Sequence, residues 1–200
     1  MYVSTNAGES WQKFMNNFPT VRTDDIMIHP RDGDLIVGTH GRGIWIADDI
    51  TPLQQLTPAV LSADATLFET RPAVAWLNDR KLGQQVTGQQ VFRGENAPRG
   101  AYISYHLRAA AGGDVKITIS DVTGRVLANL NGTKEAGINR VLWNLGPDQP
   151  AGAAGGRGGG GGGGGAPTVP PGVYKVTLLV NGQSYVKTLE VLEDRWMEER

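Results

Sequence analysis

Short apolar or alternating runs dominate this chain, and none of them sustains a long helical period. "DDIMIHP", "DLIVGTH" and "GIWIADD" follow one another closely, broken by "PRDGD" and "GRG". Turn chemistry at such close spacing predicts a β-meander. Asp32-Gly33 is a tight-turn pair placed to join residues 26–29 to residues 35–39. Gly41 and Gly43 flank Arg42 and let the chain turn again into residues 44–47. Residues 51–63, "TPLQQLTPAVLSA", read as a connector with one helical turn around 52–56. "TLFETRPAVAWL" then resumes an extended pattern, and residues 78–90 are polar and loop-like.

Alternation returns after Gly100. "AYISYHLRA" and "DVKITISDV" are expected to pair as neighbouring strands. In the second, Val115, Ile117 and Ile119 point one way, and Lys116, Thr118 and Ser120 the other. "RVLANL" follows a turn at "DVTG", where Gly124 supplies a positive φ. "INRVLWNL", "GVYKVTLLV" and "QSYVKTLEVL" complete the set, the last two joined by the hairpin pair Asn181-Gly182. Roughly six or seven strands over residues 100–192, with no long helical pattern, predict a β-sandwich. The tail, residues 194–200, reads as a short helix or a frayed end.

Composition changes this picture only locally. Ten of the 28 glycines fall in "GGRGGGGGGGG", residues 155–165. Such a run has no side chains to pack and carries maximal backbone entropy, so residues 149–170 are expected to be a disordered loop within the sandwich. The net charge of −1, from 19 basic and 20 acidic residues, provides no field for nucleic acid or anionic membranes. One Arg-Gly-Gly in the glycine run is too little for RNA binding, which needs repeated arginines. There is no cysteine, which removes disulfides and thiolate metal sites. No run approaches the about 20 apolar residues of a membrane span. The first ten residues show no signal-peptide pattern.

The stretch "STNAGESW", residues 4–11, fits Ser-x-Asp-x-Gly-x-Ser/Thr-Trp and resembles the Asp-box, or BNR repeat, of β-propellers such as sialidases and sortilin-type proteins. Asn6 stands where the pattern has Asp, a mild change for a hydrogen-bonding role. Its side-chain carbonyl is suited to cap turn donors, Gly8 to take positive φ and Ser10 to bond locally. Trp11 is expected to pack its ring between strands. "IMIHPRDGDLIVGTHGRGIWIADD" resembles the final blade of secreted bacterial propellers with these repeats. The later segments, through Asp121, Gly124, Arg125, Gly137, Asn139, Trp143, Gly172 and Tyr174, resemble the Ig-like, fibronectin-type module that follows such propellers. Similar modules occur in flagellar hook-capping proteins and in sorting tails of secreted proteins.

The resemblance implies an all-β chain: a partial β-propeller at residues 1–50, a connector at 51–63 and an Ig-like sandwich at 64–193. Residues 2–18 are then the end of one blade, and residues 23–49 are three strands of the final one. A propeller closes a ring of about four to eight four-stranded blades. The chain is therefore expected to be the C-terminal piece of a longer protein. Unpaired strand edges in residues 2–49 would seek the rest of that propeller or a second copy.

Candidate chemistry is sparse. His29, His40 and His106 lack the close spacing of a metal site. In "GTHGRG", His40 and Arg42 are candidates for a loop lining a propeller channel, with a simple turn as the plainer reading. That string opens no helix and ends without Lys-Ser/Thr, so it is no phosphate loop. The doublets Asp24-Asp25 and Asp48-Asp49 point to opposite faces within a strand and make no glycosidase pair alone. Trp45, Trp76 and Trp143 are candidates for a sugar platform, against core packing. No residue is assigned a catalytic, cofactor or metal role. The expected function is a non-catalytic accessory or interaction module of a secreted or periplasmic protein, with carbohydrate or protein as ligand. The alternatives are part of a sialidase- or xyloglucanase-like glycosyl hydrolase, with its catalytic residues mainly upstream, and a sortilin-like peptide-binding scaffold.

Overall fold

The computed structural model describes residues 1–14, 16–76, 97–147 and 168–194. The predicted polar loop at 78–90, nearly all of the glycine-rich loop and the tail beyond Asp194 lie outside the described residues. The chain is all-β and includes a sheet curled into a half-barrel.

The first two strands, β1 (Tyr2–Val3) and β2 (Gln12–Lys13), form a short antiparallel ribbon. An antiparallel meander follows, β3 (Thr23–Ile28), β4 (Leu35–Thr39) and β5 (Ile44–Ala47), with β4 in the middle. Residues 29–34 form a wider loop than the predicted tight turn. Ile28 pairs with Leu35, His29 N–H donates to the Asp34 carbonyl, and Gly33 N–H donates back to the His29 carbonyl. Gly33 takes a φ of 64° within this loop, so the turn glycine is kept while the loop lengthens.

Two short helices fill the connector, α1 (Thr51–Gln54) and α2 (Pro58–Ser62). The sequence pattern predicts only one turn there. A signal for the second is nevertheless present: Thr57 caps the Val60 N–H at 3.3 Å, and Pro58 opens the helix where a missing N–H costs nothing.

The remaining strands are β6 (Ala65–Leu67), β7 (Ala73–Ala75), β8 (Ala101–Leu107), β9 (Lys116–Ser120), β10 (Val126–Asn131), β11 (Gly137–Trp143), β12 (Gly172–Val180) and β13 (Gln183–Glu193). They make two sheets, ordered β11-β8-β6 and β10-β9-β12-β13-β7. The expected pairing of β8 with β9 is therefore wrong. These strands lie in different sheets, and their apolar faces meet across the core instead of sharing hydrogen bonds. Asn181 and Gly182 both have positive φ, 49° and 76°, and close the predicted two-residue hairpin with Val180 opposite Gln183.

One core joins the two sheets. Ile103, Tyr105, Leu107 and Trp143 from one meet Ile117, Ile119, Val176, Leu178 and Leu189 from the other. Each such side chain contributes about 1.5–3 kcal/mol by leaving water. The polar ends of two core aromatics are matched: Trp143 Nε1 donates to the Gly146 carbonyl at 2.9 Å, and the Tyr105 hydroxyl to the Thr133 carbonyl at 2.6 Å. Gly100 has a φ of 135°, and a Cβ there would sit 2.2 Å from the Trp143 carbonyl oxygen. Only glycine lets β8 start so close to the end of β11.

The strand β8 is buried on nearly its whole length, including the outward residues Ser104 and His106. The cover is the N-terminal region: Leu53, Leu56 and Leu61 share a small cavity with His106 and Ile138. The first part of the chain thus lies over the outer face of the three-stranded sheet.

Candidate functional site

The seam between the β3–β5 meander and the two packed sheets gathers a dense set of polar contacts. Asp48 and Asp49 follow the end of β5, and Arg140 reaches them from the outward face of β11. Its guanidinium donates to the Asp48 carbonyl at 3.0 Å and to the Asp49 carbonyl at 2.6 Å. The same group stacks over the Tyr102 ring, 4.8 Å from the centroid. A second clamp comes from Arg71, which donates to the Asp32 carbonyl and to Asp34 Oδ1, the latter at 3.1 Å.

The acids inside the seam play different parts. Asp34 Oδ1 also accepts the Asp49 N–H at 2.9 Å, which ties the β3–β4 loop to the end of β5. Asp49 is 3% exposed and adopts a φ of 52°. Its carboxylate accepts Thr51 N–H at 3.2 Å and Thr51 Oγ1–H at 2.5 Å, starting α1. The Asp48 carboxylate has no hydrogen-bond or ion-pair partner among the described residues. Burial first, and then the nearby Asp34 charge, push the Asp48 carboxyl above its ordinary value, against the pull of Arg71 and Arg140. Burial, followed by the Asp48 charge, also raises the Tyr102 hydroxyl.

Beside Asp48 opens a cavity of about 600 Å³, within the range of ligand pockets. It is lined by Val37, Trp45 and Ala47 of the meander, by Phe14 and Phe18, and by Ile138 and Arg140 of β11. Phe18 meets Trp45 edge to face at 5.6 Å between ring centroids. Trp45 Nε1 donates to the Arg42 carbonyl at 3.1 Å, which fixes the indole orientation.

The opening hairpin is a hydrogen-bonded knot. Asn6 Oδ1 accepts the Ser10 N–H at 3.0 Å and the Ser4 hydroxyl at 2.9 Å. Asn6 Nδ2 donates to Ser10 Oγ, also at 2.9 Å, and Ser4 Oγ accepts the Gly8 N–H at 2.8 Å. Gly8 takes a φ of 92°. Trp11, expected between strands, is instead 63% exposed, with its ring beside Gly8. The ribbon β1–β2 is only two residues long on each side, too short to cover an indole.

The other candidates are scattered. His40 is exposed, with Nδ1 at 3.4 Å from Asp24, and Arg42 nearby is exposed too. Asp24 pairs with Arg22 at 2.7 Å. His29 Nδ1 accepts the Asp32 N–H at 3.2 Å. Trp143 is wholly buried in the core and cannot stack on a sugar, Trp76 is exposed, and Trp45 lines the cavity. The three tryptophans do not make one platform. Among the described residues, no group of three or more His, Cys, Asp or Glu is arranged to hold a metal. No helix among them is long and apolar enough to cross a membrane.

Comparison with known proteins returned no matching family model, no matching curated protein and no matching solved structure.

Sequence reasoning passes over Asp34, Arg71 and Arg140. Each is an ordinary surface-type residue by position, and Arg140 meets its carbonyls across more than 90 positions of chain. The doublet Asp48-Asp49 is visible in the sequence, but its clamps are not.

Proposed function

We propose that this chain is a non-catalytic interaction module, in which residues 1–50 are an incomplete β-propeller region and residues 64–193 an Ig-like accessory sandwich. The meander carries this reading. Ile26 and Ile28 on one face, and Met27, Ile44 and Ile46 on the other, are all about half exposed or more. The strands β3 and β5 have no outer neighbour among the described residues. A sheet that is apolar on both faces, with open edges, is built to be covered on both sides. Blades of a propeller are covered in that way, and the Asp-box-like hairpin at residues 4–11 fits the same origin. The covering strands would come from the rest of a longer parent chain or from a second copy, in a secreted or periplasmic protein.

The sandwich grips this region through Arg71 and Arg140, which supports a scaffolding role for it. A sortilin-like binding scaffold is the second reading, favoured by the aromatic cavity beside Asp48. The glycosyl-hydrolase alternative has less support, since Asp34 and Asp49 are both engaged in holding backbone.

The test is association state and surface hydrophobicity of the purified chain. Self-association, or strong binding of an apolar dye, is expected, and Met27→Lys with Ile46→Lys should abolish it while leaving the near-UV signal of the sandwich intact. A monomer that binds no dye, with amides of residues 23–47 as protected from exchange as those of β9, would sink the reading.

A further inference from the structure

We infer that the cavity lined by Trp45, Ala47, Phe14 and Phe18 receives an extended peptide segment carrying a lysine or arginine among apolar residues, with its cation set against Asp48. This rests on the reading above, that the meander is a docking surface, and adds the chemistry of what docks.

Charge in the seam does not balance. Asp34, Asp48 and Asp49 meet two guanidiniums, Arg71 and Arg140. Arg71 is committed to Asp34, and Arg140 to two backbone carbonyls and the Tyr102 ring. The adjacent Arg31 and Asp32 pair with each other at 2.7 Å, so they cancel and leave the sum unchanged. Three carboxylates against two guanidiniums leave the seam one positive charge short. The unpartnered group is Asp48, on the cavity wall.

The lining narrows the occupant further. Phe14, Phe18, Trp45 and Val37 give the cavity that Asp48 lines an apolar and aromatic surface. Aromatic faces hold the stem of a long basic side chain while a carboxylate takes its head. An anionic ligand would be repelled by Asp48, and Arg140, which lines the same cavity, is already engaged by two carbonyls and the Tyr102 ring; a wholly apolar ligand would bury Asp48 without a partner. The occupant that satisfies both lining and charge is an apolar stretch with one basic residue.

The full chain is titrated with two peptides, Ac-Leu-Val-Lys-Val-Leu-NH2 and its glutamine counterpart, Ac-Leu-Val-Gln-Val-Leu-NH2. The readout is the indole N–H resonance of Trp45, assigned through Trp45→Phe. The lysine peptide is expected to bind about tenfold more tightly. Asp48→Asn should erase that preference, weakening the lysine peptide and leaving the glutamine peptide bound at least as tightly as before. The variant is expected to fold, since the Asp48 carboxylate makes no hydrogen bond among the described residues. Equal affinities for the two peptides, or a preference that survives Asp48→Asn, overturn the inference and leave the docking reading standing. Binding of neither peptide overturns the inference as well. If residues 23–47 are then also as protected from exchange as β9, the docking reading falls with it.

Discussion

Asp48 shows how one side chain acquires a property from its surroundings alone. It sits at a strand end, where a carboxylate is ordinarily solvated. Here burial and the neighbouring Asp34 charge raise its folded-state value above the ordinary 3.8. The folded state therefore holds this proton more tightly than the unfolded chain. Its contribution to stability is present at low pH and is lost as pH rises from 3.8 through the raised folded value. Asp48→Asn removes that loss. The variant should melt at a higher temperature than the parent at about pH 7, and the difference should close below about pH 3. Thermal melts of both proteins across this range check it. A variant less stable at about pH 7 would mean that Asp48 is already paired.

Between elements, the two arginine clamps decide how the meander sits on the two packed sheets. Arg140→Ala removes two charge-assisted hydrogen bonds and the stacking on Tyr102. With the side chain partly exposed, a loss of about 1–2 kcal/mol is expected. Amides of residues 44–50 should exchange faster, while those of β9 stay protected. Arg140→Lys should recover little of this, because an ammonium cannot span two carbonyls as the planar guanidinium does. Uniform acceleration across both sheets would show instead that Arg140 supports the whole fold. The mispredicted pairing of β8 with β9 belongs to this scale too. Alternation tells which side of each strand is apolar, but two apolar faces can lie side by side in one sheet or face to face across a core. The length of the intervening loop does not choose between these.

Across the whole molecule, stability is unevenly placed. Every member of the buried core cluster falls between Ala65 and Val191. Val37 is the one buried hydrophobic residue of the meander. A chain of residues 64–194 should therefore keep a cooperative unfolding transition, measured by urea titration of the Trp143 environment. Residues 1–62 alone should show none. Cooperative unfolding of that N-terminal piece would place a second core where, among the described residues, only Val37, Asp49 and Pro52 are buried.

Much of this is legible from local pattern. The strand runs, the positive-φ glycines at 124 and 182, the Asn181-Gly182 hairpin and the inward set Val115, Ile117 and Ile119 all follow from period two and turn chemistry, which act over a few residues. The sequence by itself determined that the chain is all-β, and where it turns. Only the tertiary structure decided which strands share a sheet, that Trp143 belongs to the core and Trp11 to the surface, and that Asp48 meets Asp34, Arg71 and Arg140. Those outcomes depend on contacts between residues far apart in the chain, where burial and charge are set by the partner and not by the residue.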